Sequence, residues 1–322
     1  MTLGAFLGDP AVKAEILGRV REKWEARQIT PWAYLKWSNG GTFASLAGAI
    51  ARTQDPAVFV ARTGLPLELA LLCEVLINAG IAFEDDAAAP MGFVMRGDDA
   101  IWSFGLEWVD AIAVGQDVSD AVPRILPVFL KQVLSDDFAA SETISPEVRA
   151  AAEDILDLWA CEARGEAVPP KAWRTVRARA LRAAEGNCDP VGCAAAGLVE
   201  SLPWQSRGIA AEFPAIWQKF LVSHRQTLAA RLMTNQDRIA WGALLTAERQ
   251  LMRLRGEPQY SSLAEEDLLG LFPDIKQQML AARLPAAAAR IDEAMRRARA
   301  HMVPFLRRQM DSILDLLREK PA

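Results

Sequence analysis

Residues that commonly carry out catalysis or bind metals are scarce in this sequence. Its 322 residues include only four cysteines and two histidines. Four scattered cysteines are too few for a disulfide scaffold. The sequence also lacks a Gly-x-Ser-x-Gly nucleophile elbow and the glycine-lysine loop that binds phosphate. We therefore expect no cofactor, and an enzyme is our second hypothesis rather than our first.

Long uncharged hydrophobic runs are also missing. A membrane-spanning helix needs about 18 or more mostly apolar residues, but the apolar stretch from Leu65 to Ile77 is interrupted by Glu68 and Glu74. Residues 1–9 do not join a basic segment to an apolar one, as a signal peptide does. We therefore predict a cytoplasmic protein without a membrane partner. The net charge of −5 argues against nucleic acid as a partner.

The abundant residues favour helix. Alanine is over-used, whereas β-branched residues and tyrosine are rare, and alanine loses no side-chain entropy in a helix. Asp9-Pro10 and Ser145-Pro146 are typical helix starts. The first is followed by an apolar stripe at four-residue spacing: Val12, Ile16, Val20 and Trp24. The predicted fold class is all-α, a multi-helix bundle or helical array with at most one short β-hairpin.

Further helices are predicted from caps and periodicity. They cover residues 100–113, 119–135, 169–185, 190–201, 209–233, 236–255, 262–270, 273–283 and 285–319. Pro304 lies where the apolar phase of the last helix changes, so we expect a kink or a break there. Two apolar runs flank the Arg-Gly-Asp-Asp sequence within residues 92–102, which predicts a hairpin. Residues 84–92 are predicted to form a loop.

The clearest internal seam lies around residues 185–190. Gly186, Asn187 and Pro190 come together there, which indicates that one helix ends and another begins. The segment is too short for a flexible linker. We therefore predict an N-terminal helical domain over residues 1–186 and a C-terminal helical region over residues 187–322 that packs against it.

Four short sequence motifs follow one another along the chain. They are FLGDPAVK at 6–13, TGLPLELA at 63–70, DAIAVGQDVS at 110–119, and a tail that closes on leucines at 310–317. In this order they resemble a family of uncharacterised, alanine-rich helical proteins of bacteria and their phages, which has no established activity. The resemblance covers residues 1 to about 185 and the end of the chain, whereas residues 190–285 do not align. Family members often carry a glycine-cysteine motif at the position of Gly40–Gly48. This chain has no cysteine there, so thiol chemistry at that position is absent.

Acidic residues are frequent between positions 84 and 99. Carboxylate oxygens are the ligands that Mg²⁺ and Ca²⁺ prefer. A candidate metal site would use five of them: Glu84, Asp85, Asp86, Asp98 and Asp99. The alternative function is therefore a divalent-metal-dependent enzyme built on a helical bundle. A solvated acidic loop explains the same residues without any chemistry.

The cysteines and histidines have simpler interpretations. Cys188 and Cys193 are the closest cysteine pair, but zinc sites normally have a second pair of ligands as well. We therefore predict that these cysteines hold no metal. Neither His224 nor His301 lies near a catalytic motif, so we interpret both as surface or interface residues.

The segment around residues 31–41 is rich in aromatic rings. Trp32, Tyr34 and Trp37 lie just before Gly40-Gly41. Such rings are enriched at recognition surfaces because they bury much area with few rotatable bonds, although they could equally form a small satellite core. The leading hypothesis is a helical protein of the immunity, antitoxin or phage–host factor type. It would recognise another protein or a second copy of itself, and at least two of these rings should then be exposed.

Overall fold

Helices dominate the computed structural model of this chain. It describes residues 4–32, 34–37, 44–89, 92–139, 141–186, 193–260, 267, 270–272, 274–275 and 285–319. Within these ranges, the regular structure is helical apart from one two-stranded sheet and one isolated bridge. The prediction of an all-α fold with a single short hairpin is confirmed. No described helix is long and apolar enough to span a membrane.

The elements follow one another in a simple order. The helices are α1 (Pro10–Glu25), α2 (Leu46–Ala51), α3 (Pro56–Thr63), α4 (Leu67–Gly80), α5 (Asp99–Ala111), α6 (Ala121–Leu134), α7 (Pro146–Ala163), α8 (Pro170–Glu185), α9 (Cys193–Ser201), α10 (Ser206–Ile209), α11 (Phe213–Leu232), α12 (Asn235–Arg255) and α13 (Pro285–Arg318). The strands β1 (Ala82–Asp85) and β2 (Phe93–Arg96) lie between α4 and α5. We predicted a kink or a break at Pro304; this residue lies inside α13, so the helix does not break there.

The predicted helix starts are confirmed by their caps. The Asp9 side chain accepts a hydrogen bond from the amide of Ala11 at the start of α1. The Ser145 side chain accepts one from the amide of Val148 at the start of α7. Each cap satisfies a backbone donor that the first helical turn leaves without a partner.

The hairpin uses different residues from those predicted. β1 pairs with β2 in antiparallel register, with Ala82 opposite Arg96 and Asp85 opposite Phe93. Residues 84–85, which we predicted to be a loop, therefore belong to a strand. The expected turn at residues 96–99 is instead a helix start, because the Asp98 side chain accepts from the amide of Ala100 and caps α5.

The chain divides into two compact units. The first comprises Met1–His224 and Arg299–Ala322, and the second comprises Arg225–Ala298. The boundary that we predicted at residue 186 therefore falls inside the first unit.

The core of the first unit is built around large aromatic side chains. Trp24 and Trp102 are buried and stack with their ring centroids 4.2 Å apart. Each indole N–H donates to the other residue's backbone carbonyl, at 3.0 and 2.9 Å. Gly105 leaves the space that the Trp24 ring occupies, since a Cβ there would lie 2.2 Å from the Trp24 Cζ2 atom. This pair ties α1 to α5.

The second unit has a smaller core within the described residues. Ala247, Leu251 and Ile275 are buried there, and Tyr260 and Phe272 pack against them. The Thr234 hydroxyl caps α12 by accepting from the amide of Asp237 at 3.2 Å. The buried Asp237 carboxylate in turn accepts three hydrogen bonds of 2.7–3.1 Å from Arg290.

Candidate functional site

The three aromatic rings of the segment 31–37 lie at the surface of the first unit. Tyr34 is 52% exposed, whereas Trp32 and Trp37 are half-buried. The rings of Trp32 and Tyr34 are stacked, with centroids 5.4 Å apart and planes within 9°. The Lys36 ammonium lies 5.1 Å from the centroid of Trp32. One ring is exposed, where we expected at least two, but none of the three belongs to the core.

Backbone and side-chain hydrogen bonds hold this segment in place. Thr30 and Ser45 form a parallel bridge. The amide of Ser45 donates to the carbonyl of Lys36 at 3.0 Å, and the amide of Lys36 donates to the Ser45 hydroxyl at 3.0 Å. Asn78 of α4 donates its amide to the carbonyl of Pro31 at 2.9 Å. The aromatic rings are therefore presented on a fixed backbone.

A buried glutamate lies beneath the segment. The Glu74 carboxylate, on α4, accepts from the amides of Leu46 at 3.1 Å and Ala47 at 2.6 Å, at the start of α2. The backbone of Trp32 adds a third hydrogen bond. Burial raises the pKa of Glu74 well above its ordinary range, and the three backbone donors only partly oppose this shift.

Sequence reasoning did not assign Glu74 a role. The available signal was that two acids, Glu68 and Glu74, interrupt the otherwise apolar run from Leu65 to Ile77. Such a residue needs internal donors when it is buried. Its partners, however, lie 27 and 28 residues earlier in the chain, and no periodicity predicts them.

The acidic residues proposed as a metal site do not converge. Each of three carboxylates pairs with a different arginine: Glu84 with Arg96, Asp98 with Arg307, and Asp99 with Arg27. The Asp86 side chain accepts from the amide of Ala88 in its own turn, and the side chain of Asp85 lies outside the described residues. Within the described part of the chain, no three His, Cys, Asp or Glu side chains are placed to hold a metal ion.

The remaining candidate residues are separate from one another. Cys188 and the side chain of Cys193 lie outside the described residues. His301 is exposed, but the surface position predicted for His224 is wrong, because that ring is 1% exposed. It stacks on Phe138, with centroids 4.4 Å apart, and lies parallel to the ring of Phe220. Phe138 comes from a distant part of the chain, so the local sequence did not indicate this burial.

A surface cleft of about 960 Å³ lies elsewhere on the first unit. Trp159, Pro123 and Pro127 contribute apolar surface to it, and Arg124 and Glu162 contribute charge. Both charged groups are already bonded, Arg124 to Glu319 and Glu162 to the amide of Ser206. The cleft has the size of a small-molecule site, but these two groups are engaged within the protein.

Comparison of this chain with models of protein families, with curated proteins and with solved structures found no match.

Proposed function

We propose that this protein is a cytoplasmic interaction protein that recognises another protein through Trp32, Tyr34 and Trp37. The observation that carries the proposal is the stacked pair of Trp32 and Tyr34, with Tyr34 half in solvent, on a backbone fixed at several points. A ring held in this way loses little conformational freedom when a partner covers it.

Several features favour a protein as the partner. Tyrosine and tryptophan dominate the energetics of protein interfaces, because each presents a large rigid surface with a polar edge. Lys36 adds a positive charge beside Trp32, which suits a partner whose apolar groups lie next to carboxylates. The resemblance to alanine-rich proteins of bacteria and phages suggests an immunity, antitoxin or phage–host factor.

Site-specific photocrosslinking tests this proposal. A photoreactive phenylalanine analogue at position 34 should crosslink a discrete partner in cells. The same analogue at Val60, another exposed residue of the first unit, should not. Adding Trp32→Ala and Trp37→Ala should abolish crosslinking at position 34. Equal labelling at both positions, or no labelling at position 34, would contradict the proposal.

Tyr34→Ala separates recognition from folding. It should weaken binding to the crosslinked partner at least about tenfold, as interface anchors do, while the melting temperature changes by no more than about 2 °C because the ring is largely exposed. If the partner is a second copy of the chain, the unmodified protein should sediment as a dimer, and Tyr34→Ala should dissociate that dimer in sedimentation velocity. A core residue would instead cost about 3–5 kcal/mol on truncation.

A further inference from the structure

Helix α8 carries an uneven distribution of charge. Its cations are Lys171, Arg174, Arg177, Arg179 and Arg182, and its only acid is Glu185, in the last turn. Arg179 forms an ion pair with Asp154. The other four cations lie on one side of the helix: the first three follow at three-residue steps, and Arg182 lies about three turns beyond Lys171. We call these four residues the basic face.

The basic face points away from the core. The opposite side of α8 buries Trp173, Val176 and Ala180, and Arg177, between the two sides, is half-buried. Lys171, Arg174 and Arg182 are exposed, and none of them forms an ion pair with another residue that the structure describes. Their charge is therefore available to an anion from solution.

An exposed tryptophan lies at the edge of this face. Trp204 is 49% exposed. The Arg177 guanidinium lies 3.5 Å from its ring centroid, and Arg177 also donates to the carbonyl of Pro203 at 3.3 Å. The carbonyl of Trp204 accepts from the indole N–H of Trp159 at 2.8 Å. The ring is thus held in a defined plane, with a cation on it and much of its surface in solvent.

We propose that the basic face and Trp204 form a binding site for single-stranded nucleic acid. A base would stack on Trp204, and the adjoining phosphates would contact Lys171, Arg174 and Arg182. An aromatic ring beside a row of cations suits this ligand, because every base has a stacking surface and each nucleotide carries one phosphate. An acidic protein segment would contact the same cations, and a comparison with polyglutamate distinguishes it from nucleic acid.

The negative charge of the whole chain does not oppose this site. Interactions between exposed charges are largely screened beyond about 8–10 Å at physiological ionic strength. A local row of exposed cations therefore determines what binds there.

Fluorescence anisotropy with the full chain and a fluorescein-labelled dT20 oligonucleotide tests the site. Three to four phosphate contacts predict a slope of about −2 to −3 in a plot of log affinity against log salt. Trp204→Ala should weaken binding about tenfold or more, while Trp204→Phe should retain most of it. Replacing Arg174 and Arg182 together by Ala should make the slope shallower by about 1.4.

Arg179→Ala is the matched control, because it removes a cation from the same helix that Asp154 already neutralises. It should bind dT20 nearly as the unmodified protein does, and circular dichroism should confirm that all variants remain folded. Three results would overturn the proposal. These are no binding in 50 mM salt, binding that is unchanged by Trp204→Ala, and equal affinity for polyglutamate of the same length.

Discussion

The two compact units differ in what holds them together. The first unit fully buries large rings, among them Trp24, Trp108 and Trp217. Among the described residues of the second unit, the buried apolar side chains are alanines, aliphatic residues and Met233, and Ile239 and Met252 on α12 are each 74% exposed. Since burial of apolar area is the main stabilising term in folding, the first unit is organised by packing. The second unit depends more on the Thr234 cap of α12 and on the ion pair between Asp237 and Arg290.

The largest effect should come from filling the space beside Trp24. Gly105→Ala would place a methyl group 2.2 Å from a ring that is held by stacking and two hydrogen bonds. Overpacking of this kind costs about 1–3 kcal/mol or more, and we expect the upper end of that range. Urea unfolding measures the change.

Gly18→Ala is the control for that substitution. Gly18 lies inside α1, and a Cβ there would meet no atom within 4 Å. Because alanine is the better helix former, this variant should gain about 0.5–1 kcal/mol. Equal, small changes in the free energy of unfolding for both variants would show that the core around Trp24 is not tightly packed.

The pH dependence of the first unit's stability should reflect the titration of Glu74. Its pKa is raised in the folded state, chiefly by burial. The stabilisation that this group contributes is therefore complete below its unfolded pKa, and it is lost as the pH rises through the folded value. In the unmodified protein, urea midpoints should fall as the pH rises above the ordinary range of a glutamate carboxyl. Glu74→Gln should flatten this dependence, while Glu107→Gln on the exposed side of α5 should not.

The second unit should show the opposite dependence on pH. Hydrogen bonds from Arg290 and Thr234 lower the pKa of Asp237 to about 2. The resulting stabilisation is present above pH 4 and is lost as the pH falls from about 4 towards 2. The protection of residues 235–255 against hydrogen exchange should fall over this range before the protection of α4 does. Asp237→Asn should give fast exchange in α12 already at pH 7, and unchanged protection there would contradict the role of the ion pair.

The sequence predicted the helices better than it predicted the sites. Helix starts such as Asp9-Pro10 rest on residues within one turn of each other, and the structure confirms them. The hairpin was placed wrongly because Asp98 can serve a turn or a helix cap, and only the pairing with β1 decides between them. The roles of Glu74 and His224 depend on partners far along the chain, so no local pattern could indicate them.

The position of α13 has a consequence for protein synthesis. Residues that complete the core of the first unit, including Phe305, Met310 and Ile313, leave the ribosome after the whole second unit. At 5–20 residues per second, the intervening residues 225–298 take about 4–15 s to translate. During that time, the apolar surface that α13 covers on the nascent first unit remains open to water and to chaperones. Folding of the first unit is therefore completed by translation of residues 299–319, and not by translation of residues 1–224 alone.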